Sequence, residues 1–111
     1  GQAAVSDGAG GIAWKDAIMP SLTVTIPSSG WAASSTHTGY YENAVSVTSV
    51  KDEHPEWGIS DSTGSGIPTA EQITAFEKIL VMIADKTANT LTFYAAAAQT
   101  ADVYALVKGV S

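Results

Sequence analysis

Apolar and polar residues alternate along this chain in short runs, and only one stretch shows helical spacing, a pattern that predicts a small β domain with a single helix. Leu22, Val24 and Ile26 alternate with Thr23 and Thr25 as a half-buried strand, which Pro27 and Ser28-Ser29-Gly30 end. A second strand runs from about Tyr41 to Val50, with Val45 and Val47 on one face and Ser46 and Thr48 on the other. Lys51-Asp52-Glu53-His54-Pro55 ends it. Trp57 and Ile59 suggest a further short strand, and Asp61 to Gly66 reads as a flexible connection.

The periodicity then changes. Thr69-Ala70-Glu71-Gln72 has the form of a capping box, in which the Thr69 hydroxyl accepts from the Gln72 amide and the Gln72 side chain reaches back. With Ile73, Phe76 and Leu80 on one face, the spacing predicts a helix from Ala70 to about Lys78. Ile79 to Ala84 is apolar on both faces and reads as a buried strand, and Asp85 to Asn89 turns the chain into a final pair of strands.

Those two strands, Thr-Leu-Thr-Phe-Tyr from Thr90 and Asp-Val-Tyr-Ala-Leu-Val from Asp102, frame an alanine-rich turn region. In the second, Val103, Ala105 and Val107 share one face while Tyr104 and Leu106 share the other. One core needs only the first set. Tyr104 and Leu106, with Tyr94 from the neighbouring strand, then form a surplus apolar patch that calls for another sheet, the helix or another copy of the chain. These three residues are the expected oligomer interface.

Composition narrows the function classes. The 111 residues make one domain whose core is modest for its surface, so self-association would add to a thin margin of stability. Residues 1–20 are Gly/Ala-rich without periodicity up to Gly11 and read as an arm or linker, with Trp14, Ile18 and Met19 able to bury; the regular domain is 21–111. A net charge of −6, with five Lys and no Arg, opposes nucleic-acid binding, because phosphate neutralisation needs a basic face. It also opposes an anionic membrane surface, and no run approaches the ~20 apolar residues of a spanning helix, so a soluble chain without membrane insertion is expected. There is no cysteine, hence no disulfide or thiolate chemistry. A first residue that is Gly rather than Met suggests a piece of something longer.

No group of residues has the form of a catalytic site. His54 sits among Asp52, Glu53 and Glu56, but a proline-containing loop reads as a solvated charged turn rather than a metal site, and His37 stands apart. Asp61 and Glu71 could act as an acid–base pair only at a separation that sequence does not supply. The serines lack a nucleophile elbow or a base. Neither cofactor nor metal is expected. Among the aromatic residues, Trp31 and Tyr41 are expected in the core, whereas Tyr40 and Trp57 are the candidates for a ligand-stacking surface.

Leu22-Thr23-Val24-Thr25-Ile26 through Gly30-Trp31, Tyr41 to Val47 ending at Val50, the Ala70–Ile79 helix, Thr90-Leu91-Thr92-Phe93 and Ala101-Asp102-Val103 follow one another in an order that resembles a small β-sandwich domain. That domain recurs in structural proteins of phages and prophages of Gram-positive bacteria, near the end of fibre or appendage proteins. The resemblance spans about Ser21 to Val110, and Lys51 to Gly66 is longer and more acidic than its pattern. It implies a non-enzymatic virion part that assembles as a homotrimer, joined to other virion proteins by the amino-terminal arm and displayed on the particle surface, with a host-surface glycan as a further partner. No site residues carry over. The expected fold is therefore mainly β, an antiparallel β-sandwich of jelly-roll-like or Ig-like form with one short α-helix. The rival reading is a carbohydrate-binding module of a secreted bacterial protein, which would need an exposed aromatic platform including Trp57 or Tyr40.

Overall fold

A computed structural model describes residues 21–111, so the arm, with Trp14, Ile18 and Met19, lies outside the described residues. The chain forms β1 (Ser21–Ile26), a 3-10 turn (Ser28–Gly30), β2 (Ala32–Ala33), β3 (Tyr41–Ser46), β4 (Trp57–Ser60), α1 (Ala70–Glu77), β5 (Ile79–Asp85), β6 (Thr90–Ala95) and β7 (Val103–Lys108). Two antiparallel sheets, β1-β7-β4 and β2-β3-β6-β5, make a mainly β architecture compatible with a sandwich. The helix contacts β7 in one sheet and β5 in the other.

Alternation decides which side chains meet between the sheets. Val24 and Ile26 of β1 pair with Ala105 and Val103, and these, with Val107, are fully or almost fully buried. From the other sheet come Leu91, Phe93 and Ala95, equally buried. Asn43 is the polar exception at 1% exposure. Its Nδ2 donates to the Pro27 carbonyl at 2.8 Å, so the turn after β1 is fastened to β3 of the opposite sheet. A Cβ at Gly30 would stand 2.5 Å from the Asn43 Oδ1, so this close approach requires glycine.

Three local expectations differ from the structure. The strand expected over Tyr41–Val50 is two pieces, because β3 stops at Ser46 and Val50 bridges instead to Val110 beyond β7. Asn89 makes the break: in the left-handed region at φ 54°, it accepts Val47 N on its carbonyl and Val50 N on its Oδ1. The Asp61–Gly66 connection is held by its own first residue, whose carboxylate accepts from the Thr63 hydroxyl at 2.8 Å and from Gly66 N at 2.9 Å. Finally, among the described strands β5 is an edge strand rather than a buried one. Met82 and Ala84 pack on the core, but Leu80, Val81 and Ile83 remain 56%, 44% and 47% exposed.

The helix forms where its box predicts. Thr69 Oγ1 accepts from Gln72 N at 3.2 Å, and Gln72 Oε1 accepts from Thr69 N at 3.0 Å. Its inward residues are Ala75 and Phe76, not Ile73 and Leu80: Ile73 is exposed, and Leu80 belongs to β5.

Candidate interaction surfaces

The surplus face of β7 is where the sequence places an interface, and the geometry divides the three residues assigned to it. Tyr104 and Leu106 lie on β7, opposite the core-facing Val103, Ala105 and Val107 as expected, but β6 and β7 belong to different sheets. Tyr94 therefore cannot join them, and the single patch does not exist. Connection 96–102 carries the chain from one sheet to the other. It exceeds the roughly two to five residues of a hairpin loop, and that length is the sequence signal that β6 and β7 are not neighbours.

The outer face of the three-stranded sheet receives cover from its own chain. Gly64 comes down beside Thr23, which pairs with Leu106; a Cβ there would lie 2.7 Å from the Thr23 hydroxyl, and φ at Gly64 is +81°. Tyr104 is half-buried and lines an open cleft of about 770 Å³ that also draws on Glu71, Lys78, Gln99 and Asp102. Leu106 borders a smaller hollow of about 230 Å³, opened by the missing side chain of its pairing partner Gly58.

The outer face of the four-stranded sheet is different in kind. Tyr94 is nearly buried there by the loop before β3, with the His37 ring edge-on at 5.1 Å and Tyr40 at 6.4 Å. His37 Nδ1 in turn lies 2.9 Å from the Thr36 hydroxyl. Burial, and next the negative charge of Glu42, raise the Tyr94 pKa above its usual value. Val81 and Ile83 complete an apolar hollow of about 250 Å³ against these rings.

The two proposed ligand-stacking residues do not meet. Tyr40 is exposed beside that hollow, whereas Trp57 points between the sheets, edge-on to Phe76 at 5.4 Å and to Phe93 at 5.5 Å. Trp57 is partly buried, packed against the core on one side and bordering the hollow beside Leu106 on the other. Tyr41, expected in the core, is 37% exposed at the end of its strand; Trp31 packs partly against the core, with its buried Nε1 lacking a hydrogen-bond partner among the described residues.

Asp52, Glu56 and Asp61 among the charged candidates have structural partners. Asp52 Oδ1 accepts from His54 N at 2.9 Å, and Glu56 pairs with Lys108 at 3.5 Å. Among the described residues, no three His, Asp or Glu side chains gather as a metal site would require. Asp61, bound to Gly66 and Thr63, is held below its usual pKa by those hydrogen bonds, the Gly66 amide first; Glu71 faces the cleft that Asp61 does not line. Asp102 is lowered in the same way, chiefly by Ser28 N at 2.7 Å. Comparison with protein-family models, curated proteins and solved structures finds no match to this chain.

Proposed function

We propose that this chain is a non-enzymatic structural domain of a bacteriophage virion, part of a head or tail fibre, a decoration or an appendage, that works by assembling with copies of itself. Two things support the reading: the ordered resemblance over Ser21 to Val110, and the exposed Leu80, Val81 and Ile83 of β5. The second carries the self-association, since contiguous exposed aliphatic side chains mark interaction surfaces. Residues 1–20 would join the domain to other virion proteins, and three copies closing about an axis is the number the resemblance implies. The Tyr40 loop would be the surface offered to a host glycan.

The genes flanking its coding sequence test the virion reading. Capsid or tail genes on either side support it, and flanking glycosidase domains support the carbohydrate-binding rival. That rival rests more on Tyr40 than on Trp57, whose ring packs partly buried against Phe76 and Phe93. Light scattering of the purified chain tests the assembly reading. A stable monomer across the micromolar range would count against it.

A further inference from the structure

The cleft and the two hollows differ in what lines them. The cleft beside α1 has one ring, Tyr104, and carries Lys78 as well as Glu71. The hollow beside Leu106 has Trp57, and its acid, Glu56, is already paired with Lys108. The hollow on the four-stranded sheet is lined by three rings, those of His37, Tyr40 and Tyr94, and closed by Val81 and Ile83.

Its walls are set before any ligand arrives. Ser34 N donates to the Tyr40 carbonyl at 2.9 Å, Tyr40 N to the His37 carbonyl at 3.1 Å and His37 N to the Ser34 hydroxyl at 3.0 Å, so the loop before β3 is closed on itself. Gly39, at φ +93°, permits the turn that brings Tyr40 back towards the sheet. There the His37 and Tyr40 rings stand steeply to Tyr94, at 69° and 85°. Tyr94 is held in turn, because β6 lies between β3 and β5.

An acid stands beside these rings. Glu42 is the ladder partner of Tyr94, and directly paired residues share a face with their Cβ atoms about 5 Å apart. Its negative charge is felt at Tyr94, whose pKa it helps to raise. Glu42 is half-buried, and among the described residues it has no cationic partner. An apolar surface laid over this face would bury that charge uncompensated, which is costly. A cation would compensate it.

We infer that this hollow binds a quaternary ammonium group, such as the trimethylammonium head of choline, with the rings of His37, Tyr40 and Tyr94 as its cage and Glu42 as its counter-charge. Such a cation is drawn to the faces of aromatic rings within ~6 Å. It has no N–H to satisfy, so it suits walls with few acceptors, whereas a lysine ammonium brings three donors. Its methyl groups match Val81 and Ile83. The volume of about 250 Å³ suits a head of this size rather than a drug-sized molecule, whose sites run to ~300–1,000 Å³. The inference rests on the reading of the Tyr40 loop as the surface offered to a host ligand and names the chemistry taken there; it does not depend on self-association.

A site of so few contacts is weak, so choline is to be titrated to ~10 mM against the full chain, with the tyrosine ring signals followed by NMR. Tyr40 and Tyr94 should shift saturably. The uncharged isostere, with carbon in place of the nitrogen, should bind about tenfold more weakly, because it keeps the shape and loses the charge. Glu42→Gln should weaken choline about three- to tenfold while leaving the isostere and the circular dichroism of the fold unchanged, and Tyr40→Leu should weaken choline by a similar factor. Phosphatidylcholine vesicles identify the carrier. Co-sedimentation with them would support the site on a lipid head, and binding of soluble phosphocholine alone would support it on a glycan-linked head. No shift with choline, an isostere that binds as tightly, or an unchanged affinity in Glu42→Gln would each overturn the ammonium site. Glycan binding abolished by Tyr40→Leu would, in that event, keep the loop as a contact surface.

Discussion

Thr69 shows how much one side chain contributes before any tertiary packing. Its hydroxyl holds the Gln72 amide while its own amide is held by Gln72 in return, so two of the otherwise unpartnered donors at the start of α1 are satisfied. Thr69→Ala should lower stability by about 1 kcal/mol, read as a lower urea midpoint at unchanged slope. Asp61 and Asp102 act through their charge. Hydrogen bonds from Gly66 and Thr63 to one, and from Ser28 to the other, hold both pKa values below the ordinary carboxylate value, so the folded chain binds fewer protons than the unfolded one in acid. Their contribution is complete above about pH 4, the unfolded value, and is lost as pH falls through the lower folded values. Thermal melts from pH 6 down to 2 should fall at the acid end, and Asp61→Asn with Asp102→Asn should flatten that fall; an equally steep acid limb in the double variant would refute the assignment. Thr69 was legible in sequence because a cap is a contact between near neighbours. The bond from Asp102 to Ser28 was not, because it spans 74 residues.

Elements were legible where their pattern is local and misplaced where their neighbours decide. Alternation in Leu22–Ile26 and in Val103–Val107 identifies both the strands and their buried faces, since a period of two has one solution when one face is polar or redundant. Ile79–Ala84 has apolar residues on both faces, and such a run reads the same at the centre of a sheet as at its edge. Only the pairing reveals the edge: among the described strands β5 pairs with β6 alone. The helix teaches a similar lesson: Ile73 fits the apolar spacing but faces solvent, because the two-sheet frame admits only the Ala75–Phe76 side. Phe76, edge-on to Trp57, should therefore cost about 3–5 kcal/mol when cut to alanine. Ile73→Ala, at 38% exposure, should cost far less, within about 0.5 kcal/mol as for ordinary surface changes. Equal losses in denaturant titrations of the two variants would show that α1 is seated the other way round.

For the molecule as a whole, the central strand of the three-stranded sheet is the one made last. Among the described residues β1 and β4 do not pair with each other, and each finds its ladder partner in β7. All strands of the other sheet lie between Ala32 and Ala95, so that sheet can assemble while β7 is still being synthesised. During that interval Leu91 and Phe93 have no opposing layer, and two strands carry unpaired edges, the condition in which nascent chains associate wrongly. Closing the sandwich is then a late, long-range event, and such events are slow because loop closure precedes the contacts that reward it. A chain stopped at Asp102 should therefore keep strand signal yet lose the fixed tryptophan environments of the native fold in near-ultraviolet circular dichroism. Retention of those signals would show that the four-stranded sheet stands alone. The ribosome thus holds the timing of this fold: until Lys108 is free, the domain is a half-sandwich whose inner face is available to any neighbouring chain, and translation at high density is when its copies are most at risk of meeting by the wrong surface.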